Sequence, residues 1–500
     1  MLDGMVPMDA PVPVDANPSP AVEVADTSLQ SASYGKTFGP TLDSGDRGTG
    51  LADPGARGAR YSHDGSTPAK GVTATMDNGV LTITGTPGDD QVLITQTGDT
   101  LTVNSGSASW SFRAVTRIVA FMGEGDDLVR VDRGVTVPTE LHGEGGNDTL
   151  IGGAGYNILD GGPGNDSLIG GPGGNTLDGS EGDDTLVTIG SSGKNIAMGG
   201  PGKDSFWVGP RHTTDADATE IARGYLHTVR QFYQPWADSP TSPDYVRLTL
   251  DGPSLRDPTP TNNSYGYRSY AGYPLFAEEP DYADIKQGRI GDCYFLVTLG
   301  SFATAEPESI RNAIVNLGDG TYAARFYRGG QEIYVRVDAS LPSCGNSPAY
   351  ASMGPHKELW VPLLEKAWAC YRNSSPSYAS VTTGWMNEVY AAMTGRSCRS
   401  YYVANMSGAN IYRTAFDLLS AGYALTIGTK ASPPSPIESN HAYIVVGAST
   451  DNQGTQWVTF YNPFGYDGGT WDSNPSDGLI RMKASQIPDY FTTMISIDPM

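Results

Sequence analysis

The sequence contains no apolar run approaching the ~20 residues that a membrane-spanning helix requires. Met1 to Pro20 have neither a basic start nor an apolar core, so no secretory leader is expected there. Basic residues are scarce. The chain has 32 Lys and Arg against 55 Asp and Glu, a formal net charge of -23. A nucleic-acid surface needs a basic stripe and is not expected; a chain that holds cations is. Cysteine is scarce too, with Cys293, Cys344, Cys370 and Cys398 all in the second half. With one assigned to chemistry, the odd remainder favours free thiols over a disulfide framework. At 500 residues the chain has room for two or three domains, since one core rarely grows beyond ~250–300 residues.

Residues 1–70, rich in Pro, Ala, Asp, Gly and Ser without periodicity, read as a disordered leader. From residue 71 to 142 short alternating strands separated by turn signals, such as Val80–Thr84, Gln91–Thr95 and Thr100–Asn104, predict a β cap. Between residues 143 and 187 Lys and Arg are absent and eight residues are acidic. That stretch is five uninterrupted nine-residue units: GEGGNDTLI, GGAGYNILD, GGPGNDSLI, GGPGGNTLD and GSEGDDTLV. After Thr188-Ile189 come two looser units, GSSGKNIAM and GGPGKDSFW, ending at Trp207. Glycines permit turns with φ > 0, and Leu150, Leu159, Leu168, Leu177 and Leu186 recur where an inward side chain is needed. A flexible Gly/Asp linker would not keep that leucine spacing.

The units resemble the G-G-x-G-x-D-x-U-x repeat of RTX, or hemolysin-type, proteins, which folds as a calcium-binding parallel β-roll. The resemblance implies calcium as the cofactor. It makes Asp148, Asp166 and Asp184, with the turn glycines Gly145, Gly161, Gly164, Gly179 and Gly182, the candidate metal site over a roll spanning 143–207. The sixth position alternates Asp148, Asn157, Asp166, Asn175, Asp184, Asn195, Asp204. With two units per turn, Asp lines one edge and Asn the other. Calcium affinity tracks carboxylate count, so the Asp edge is expected to take the ion and the Asn edge to stack as a neutral amide ladder. Thr188-Ile189 is expected to disturb the site between Asp184 and Asp204.

Residues 208–273 read as a linker with one helix over Ala218–Tyr233. Beyond it, Gln287-Gly288-Arg289-Ile290-Gly291-Asp292-Cys293 delivers a cysteine to the start of an apolar helix, Tyr294–Ala303. Most free cysteines are small buried hydrophobes. Here the helix N-terminus is expected to lower the thiol pKa. Gln287 lies across the turn, where its amide can donate to an oxyanion beside Cys293. His441 stands at the mouth of an apolar strand, and Asn462 at the end of the next one, before a Pro/Gly turn. A histidine can take the thiol proton and an asparagine can hold the imidazole tautomer.

These segments resemble the calpain family of papain-like cysteine proteases, with its Q-G-x-L-G-D-C-W-F-L, G-H-A-Y and N-P-W-G signatures and a helix like Glu358–Trp368. The resemblance covers 274–500 and implies Cys293 as nucleophile, His441 as general base and acid, Asn462 as orienter and Gln287 as oxyanion donor. Tyr294 for Trp, Asn440 for Gly and Phe464 for Trp are departures. The expected architecture is multidomain: an all-β parallel β-roll solenoid, then an α+β papain-like two-lobed protease domain. The expected function is a calcium-binding cysteine endopeptidase acting on a protein or peptide substrate. From the repeats it is placed outside a bacterial cell or at its surface. The rivals are another acyl transfer at the same site (transglutaminase or deamidase) and a surface-binding or adhesive protein with an inactive protease-like domain. His63, His142, His212, His227 and His356 are expected at the surface, and Trp360, Trp368 and Trp385 in core or groove packing.

Overall fold

The structure, a computed structural model, describes residues 71–233, 255–372, 376–467, 474 and 476–497. The expected leader, and residues 234–254 of the expected linker, lie outside them.

Residues 118–228 wind into a β-solenoid of about six turns. Two nonads complete one turn, so each residue stacks on its counterpart two nonads away. Asn157 pairs with Asn175 and Leu159 with Leu177 in one sheet, while Leu150, Leu168 and Leu186 stack in the other. Leu150, Leu159, Leu168, Leu177 and Leu186 have no exposed surface. Burying each contributes roughly 1.5–3 kcal/mol, and a column of them makes a continuous core from a glycine-rich chain. The two sheets have eight and nine strands. The cap is continuous with them: Val80–Thr84 pairs in parallel with Arg117–Glu124, and Gln91–Thr97 with Leu128–Val131.

The coil also continues past Trp207. Thr213–Thr214 and Leu226–Thr228 add a last strand to each sheet. The helix expected over Ala218–Tyr233 runs only from Ala218 to Arg223, because Gly224 takes φ 77° and closes it. Among the histidines expected at the surface, three are not. His227 is fully buried between Trp207 and Tyr334, His142 is half-buried, stacked on Phe121, and His212 is half-buried with its Nδ1 2.7 Å from the Thr188 hydroxyl. Trp385, expected to pack, is 71% exposed.

One solenoid sheet rests on the following domain. Ile151, Ile169, Val187, Ile189 and Trp207 form one apolar cluster with Val315, Leu317, Ala323 and Tyr334. Gly318 (φ 74°) lies so close that an added Cβ would come within 2.9 Å of Ile169. The Thr188-Ile189 insertion is buried and supplies part of this contact. Beside it, a cleft of about 250 Å³ is lined by Asp148, Asp166 and Asp184 from the solenoid and by Phe276, Glu278 and Glu308 from the domain.

That domain has two cores. One gathers the helices Cys293–Ala305, Trp360–Tyr371 and Met386–Thr394 with an antiparallel sheet of Ile314–Asn316, Thr321–Arg328 and Gln331–Asp338. Phe295 stacks on Trp368 at its centre, 5.2 Å apart. The other core packs the helix Gly408–Ser420 on a six-stranded sheet that carries Ala442–Thr450 and Gln456–Tyr461. All four cysteines are free. Among the described residues no helix is long and apolar enough to cross a membrane.

Candidate active site and candidate calcium edge

Cys293 opens the helix Cys293–Ala305, every residue of which from Tyr294 to Ala303 is buried. The preceding turn is fixed by close approach. A Cβ on Gly288 would come within 1.9 Å of the Tyr350 carbonyl oxygen, and the Arg289 N–H donates to Ala349. Farther along, Gly300 lets the helix lie against the strand that follows His441; a Cβ there would meet Ile444 at 2.3 Å. This contact joins the two cores and brings the cysteine and histidine segments together.

His441 is 8% exposed, and its backbone N–H donates to the Thr429 hydroxyl at 2.8 Å. Asn440 before it has φ 49°, a left-handed conformation that Asn tolerates; this accounts for Asn where the resemblance expects Gly. The His441 Nε2 lies 3.1 Å from Asn462 Oδ1. Asn462 Oδ1 also accepts the Phe464 N–H at 3.1 Å, so the oxygen faces the ring and Nε2 carries the proton. Nδ1 is thereby left as the acceptor. Phe464 stacks on the imidazole, 4.7 Å away and tilted 15°, and Tyr443 meets the same ring edge-on at 5.1 Å. The phenyl ring covers the imidazole in place of the expected indole.

Gln287 is tied to the same turn, its N–H donating to the Pro463 carbonyl at 2.7 Å. Its Nε2 donates to Ile290 at 2.7 Å. Burial pushes the Cys293 thiol up to about 11, while the Ala442 backbone N–H pulls it down and the neighbouring Asp292 adds to the rise. The lowered thiol expected from the helix N-terminus is therefore not found; desolvation outweighs the dipole. Burial pushes His441 down to about 4, against the Asn462 hydrogen bond. Thiol and imidazole rest neutral, and among the described residues no hydrogen bond joins them.

Two residues that were only part of a motif in sequence stand out in space. Asp292 has no exposed surface and does not cap the Cys293 helix. It faces Glu365, 2% exposed, whose carboxyl accepts the Ala351 N–H at 3.0 Å. Burial raises both carboxyls, and the Asp292 charge raises Glu365 further. With both carboxyls raised, burial favours keeping a proton on the pair, and neither Asp292 oxygen has another hydrogen-bond partner. The pair ties the cysteine turn to the Ala349–Ala351 segment that also holds Arg289. The hint in sequence was an acidic residue next to the thiol and another in an otherwise apolar helix.

On the solenoid's Asp edge, Asp148, Asp166 and Asp184 are buried, and each Oδ1 accepts the N–H of the aspartate one turn earlier at 2.7–2.8 Å. Each Oδ2 is buried without a partner. Each lies over the first glycine of its turn, where a Cβ on Gly143, Gly161 or Gly179 would come within 2.0–2.2 Å. Burial pushes Asp148 and Asp184 up to about 7 and Asp166 to about 8. An orphaned carboxylate oxygen over a bare turn fits a hard cation. Among the described residues no three acidic, His or Cys side chains converge on one point. The rest of a coordination shell would therefore come from turn carbonyls such as those of Gly161, Gly164, Gly179 and Gly182. The Gly145 carbonyl already accepts the Gly125 N–H at 2.8 Å. Asp148, Asp166 and Asp184 would hold calcium there, which would neutralise the column and tie successive turns together.

The opposite edge is closed on itself. Asn157 Nδ2 donates to Asn175 Oδ1 at 2.9 Å, and Asn175 Nδ2 to Asn195 Oδ1 at 2.8 Å. The Gly153 and Gly171 N–H groups donate to the asparagine oxygens, and turn carbonyls accept from the amides. The expected amide ladder is present. The insertion after Val187 does not break the Asp edge, since the Asp184 N–H still reaches Asp204 Oδ1 at 3.0 Å. Its two residues are taken up between the edges.

Comparison with known proteins agrees with both regions. A match to the calpain family cysteine proteases covers residues 269–484, and matches to the RTX calcium-binding nonapeptide repeat cover 142–177 and 160–188. Calpain-13 of Rattus norvegicus is 28% identical over 205 residues, 36% of this chain and 29% of the relative. The calpain-type cysteine protease DEK1 of Zea mays is 25% identical over 227 residues, 42% of this chain and 10% of the relative. The calpain-1 catalytic subunit of Mus musculus is 25% identical over 200 residues, 36% of this chain and 27% of the relative. The chain thus spans less than a third of the length of these curated relatives. Residues 269–484 form a calpain family cysteine protease domain, carried behind RTX calcium-binding nonapeptide repeats at 142–188.

Proposed function

We propose that the protein is a calcium-binding cysteine endopeptidase that works outside the cell, where calcium is plentiful enough to fill the repeats. The observation that carries this reading is the His441–Asn462 bond, which leaves Nδ1 as a free acceptor. Its seat is a strand packed through Gly300 on the helix that Cys293 begins. Nδ1 takes the thiol proton as sulfur attacks the peptide carbonyl, and the carbonyl oxygen gains the charge. The Cys293 N–H and the Gln287 amide stabilise that oxyanion. The tetrahedral intermediate collapses to a thioester as the imidazolium returns its proton to the leaving amine. Water, deprotonated by His441, then hydrolyses the thioester. Burial holds thiol and imidazole each toward the neutral form.

That neutrality, with no thiol–imidazole hydrogen bond, favours one second reading: a calcium-dependent surface-binding protein whose protease domain is silent. Casein or peptide-library hydrolysis, with and without calcium, separates the two. Hydrolysis is expected, with Cys293→Ala and His441→Ala abolishing it. Gln287→Ala should lower kcat by about 10²–10³-fold, the usual loss for one oxyanion donor. Cleavage that persists in purified Cys293→Ala protein would overturn the nucleophile. No adduct at Cys293 with an epoxide thiol inhibitor, read by mass spectrometry, would favour the silent domain.

A further inference from the structure

The carboxylate column does not stop where the recognised repeats stop. Before them, the Asp90 N–H donates to Asp127 Oδ1 at 2.6 Å, and the Asp127 N–H to Asp148 Oδ1 at 2.8 Å. After them, the Asp204 N–H donates to Glu220 Oε1 at 2.9 Å. The fifth turn position runs alongside in the same way. The Asn147 N–H reaches Asp126 Oδ1 at 2.8 Å, and the Asp126 N–H reaches Asp89 Oδ1 at 3.1 Å. The turn backbone carries over too. Gly123 and Gly200, outside the matched repeats at 142–188, have φ 103° and 92°, close to 102° at Gly162.

The same buried oxygens are left without partners. Asp127 has no exposed surface and Asp204 is 1% exposed, yet Asp127 Oδ2 and Asp204 Oδ2 have none. Asp90 only opens the hydrogen-bonded series, since its oxygen beside Gly85 accepts the Thr86 N–H at 2.6 Å. Asp204 Oδ2 lies in the same cradle as in the repeats, within 2.2 Å of where a Cβ on Gly199 would be. Glu220 differs. Its Oε1 holds Asp204 and its Oε2 accepts the Asp217 N–H at 2.6 Å, so neither oxygen is spare.

We propose that the calcium edge is one continuous column from Asp127 to Asp204, longer at both ends than the repeats matched at 142–188, with Glu220 as its built-in stop. Asp127 extends it into the cap, and Asp204, in the last of the looser units, continues it past the Thr188-Ile189 insertion. The column thereby reaches a turn whose sequence lacks the repeat signature, Met122-Gly123-Glu124-Gly125-Asp126-Asp127. What such a turn retains is the left-handed second and fourth residues and the sixth-position aspartate. Asp127 Oδ2 is buried there without a partner, with Met122 standing where the repeats carry their first glycine.

The test counts bound calcium on the full chain by isothermal titration and equilibrium dialysis. Asp127→Asn and Asp204→Asn each keep an Oδ1 to accept the ladder hydrogen bond and remove the spare anionic oxygen. Each should bind fewer ions than the unaltered protein, with an unchanged far-ultraviolet circular dichroism spectrum. Asp166→Asn, inside the repeats, should lose ions equally, and Asn157→Ala should lose none. If Asp166→Asn loses ions while both outer variants keep the full count, the column is confined to the repeats and the proposal fails. An unaltered protein that binds no calcium overturns the proposal together with the calcium reading of the repeats. Should one outer variant fail to fold, the other alone decides its end of the column.

Discussion

The solenoid edge and the pocket behind Cys293 both bury carboxyl groups without a basic partner, and they resolve the same electrostatic problem in different ways. Removing an unpaired carboxylate from water costs several kcal/mol, so each site must be neutralised. In the repeats each of Asp148, Asp166 and Asp184 uses one oxygen on its neighbour's N–H and turns the other toward a bare glycine turn. In the pocket Asp292 and Glu365 face each other between packed helices, and burial raises both carboxyls toward the protonated form. Geometry rather than composition decides which counter-charge arrives. An open series with spare oxygens takes cations, and a closed pair takes a proton.

The largest expected effect comes from removing the cation. Ligand binding stabilises by ~2.7 kcal/mol per site at a hundredfold excess over Kd. With ~2–4 °C per kcal/mol for domains of this size, a column of sites should lose on the order of 10 °C or more on chelation. Thermal melts of the full chain with calcium and with a chelator measure it. An unmoved melt would mean that the column takes up protons as the pair does, and the contrast would collapse.

The two regions were also unequally legible in sequence. The solenoid writes its structure locally, because one period fixes the leucine core, the turns and the Asp and Asn edges together. Leu150 through Leu186 and the amide ladder were readable for that reason. What period could not reveal was the continuation through Asp127 and Asp90, where φ and hydrogen bonding persist after the glycine signature has lapsed. In the protease domain Cys293, His441 and Asn462 could be proposed as one site chiefly because their surrounding segments resemble a known family. The Asp292–Glu365 contact spans distant helices, so no local pattern announces it. The thiol's raised pKa depends on burial, which the helix N-terminus alone did not disclose. The short helix at Ala218 was misjudged because the signal of one glycine, Gly224, was outweighed by the apolar pattern beyond it.

Breaking the pair should have an intermediate effect. Glu365→Leu leaves the Ala351 N–H and Asp292 without their partner and should cost about 1–3 kcal/mol in chemical denaturation. Glu365→Gln should cost less, because its amide can donate to Asp292. The pH dependence separates the pair from the active-site histidine. Glu365 is held well above its ordinary 4.5, so the native state keeps a proton that the unfolded chain releases. Its contribution is present below about 4.5 and is lost as pH rises toward the native value. His441 works with the opposite sign. Its native value of about 4 lies below the ordinary 6.5, so stability is lost as pH falls from 6.5 through 4. In the His441→Gln background, with calcium saturating so that the column stays charged, adding Glu365→Gln should make the falling slope shallower, leaving the share of other buried carboxyls such as Glu358. A slope unchanged by Glu365→Gln would deny the shared proton.

The smallest effect is expected where carboxylates meet water. Asp160 and Asp178 are neighbours across parallel strands, next to the Asn edge. Both are half-buried, and His142 Nδ1 lies 3.1 Å from Asp160 Oδ2. Asp178 is pushed up by partial burial and then by the Asp160 charge. Unlike the column, this pair has no orphaned buried oxygen among the described residues, and unlike Asp292 and Glu365 it is open to solvent. Water and salt screen most of its repulsion, so neither cation nor shared proton is required. Asp178→Asn should therefore stabilise the protein by only about 0.2–1 kcal/mol, the range for a relieved like-charge cross-strand pair. The gain should shrink with added salt, and the number of calcium ions bound should not change. Thermal melts at two ionic strengths, paired with a calcium titration, test both statements. A lost ion or a net destabilisation would make this outer face a third site with a counter-ion of its own.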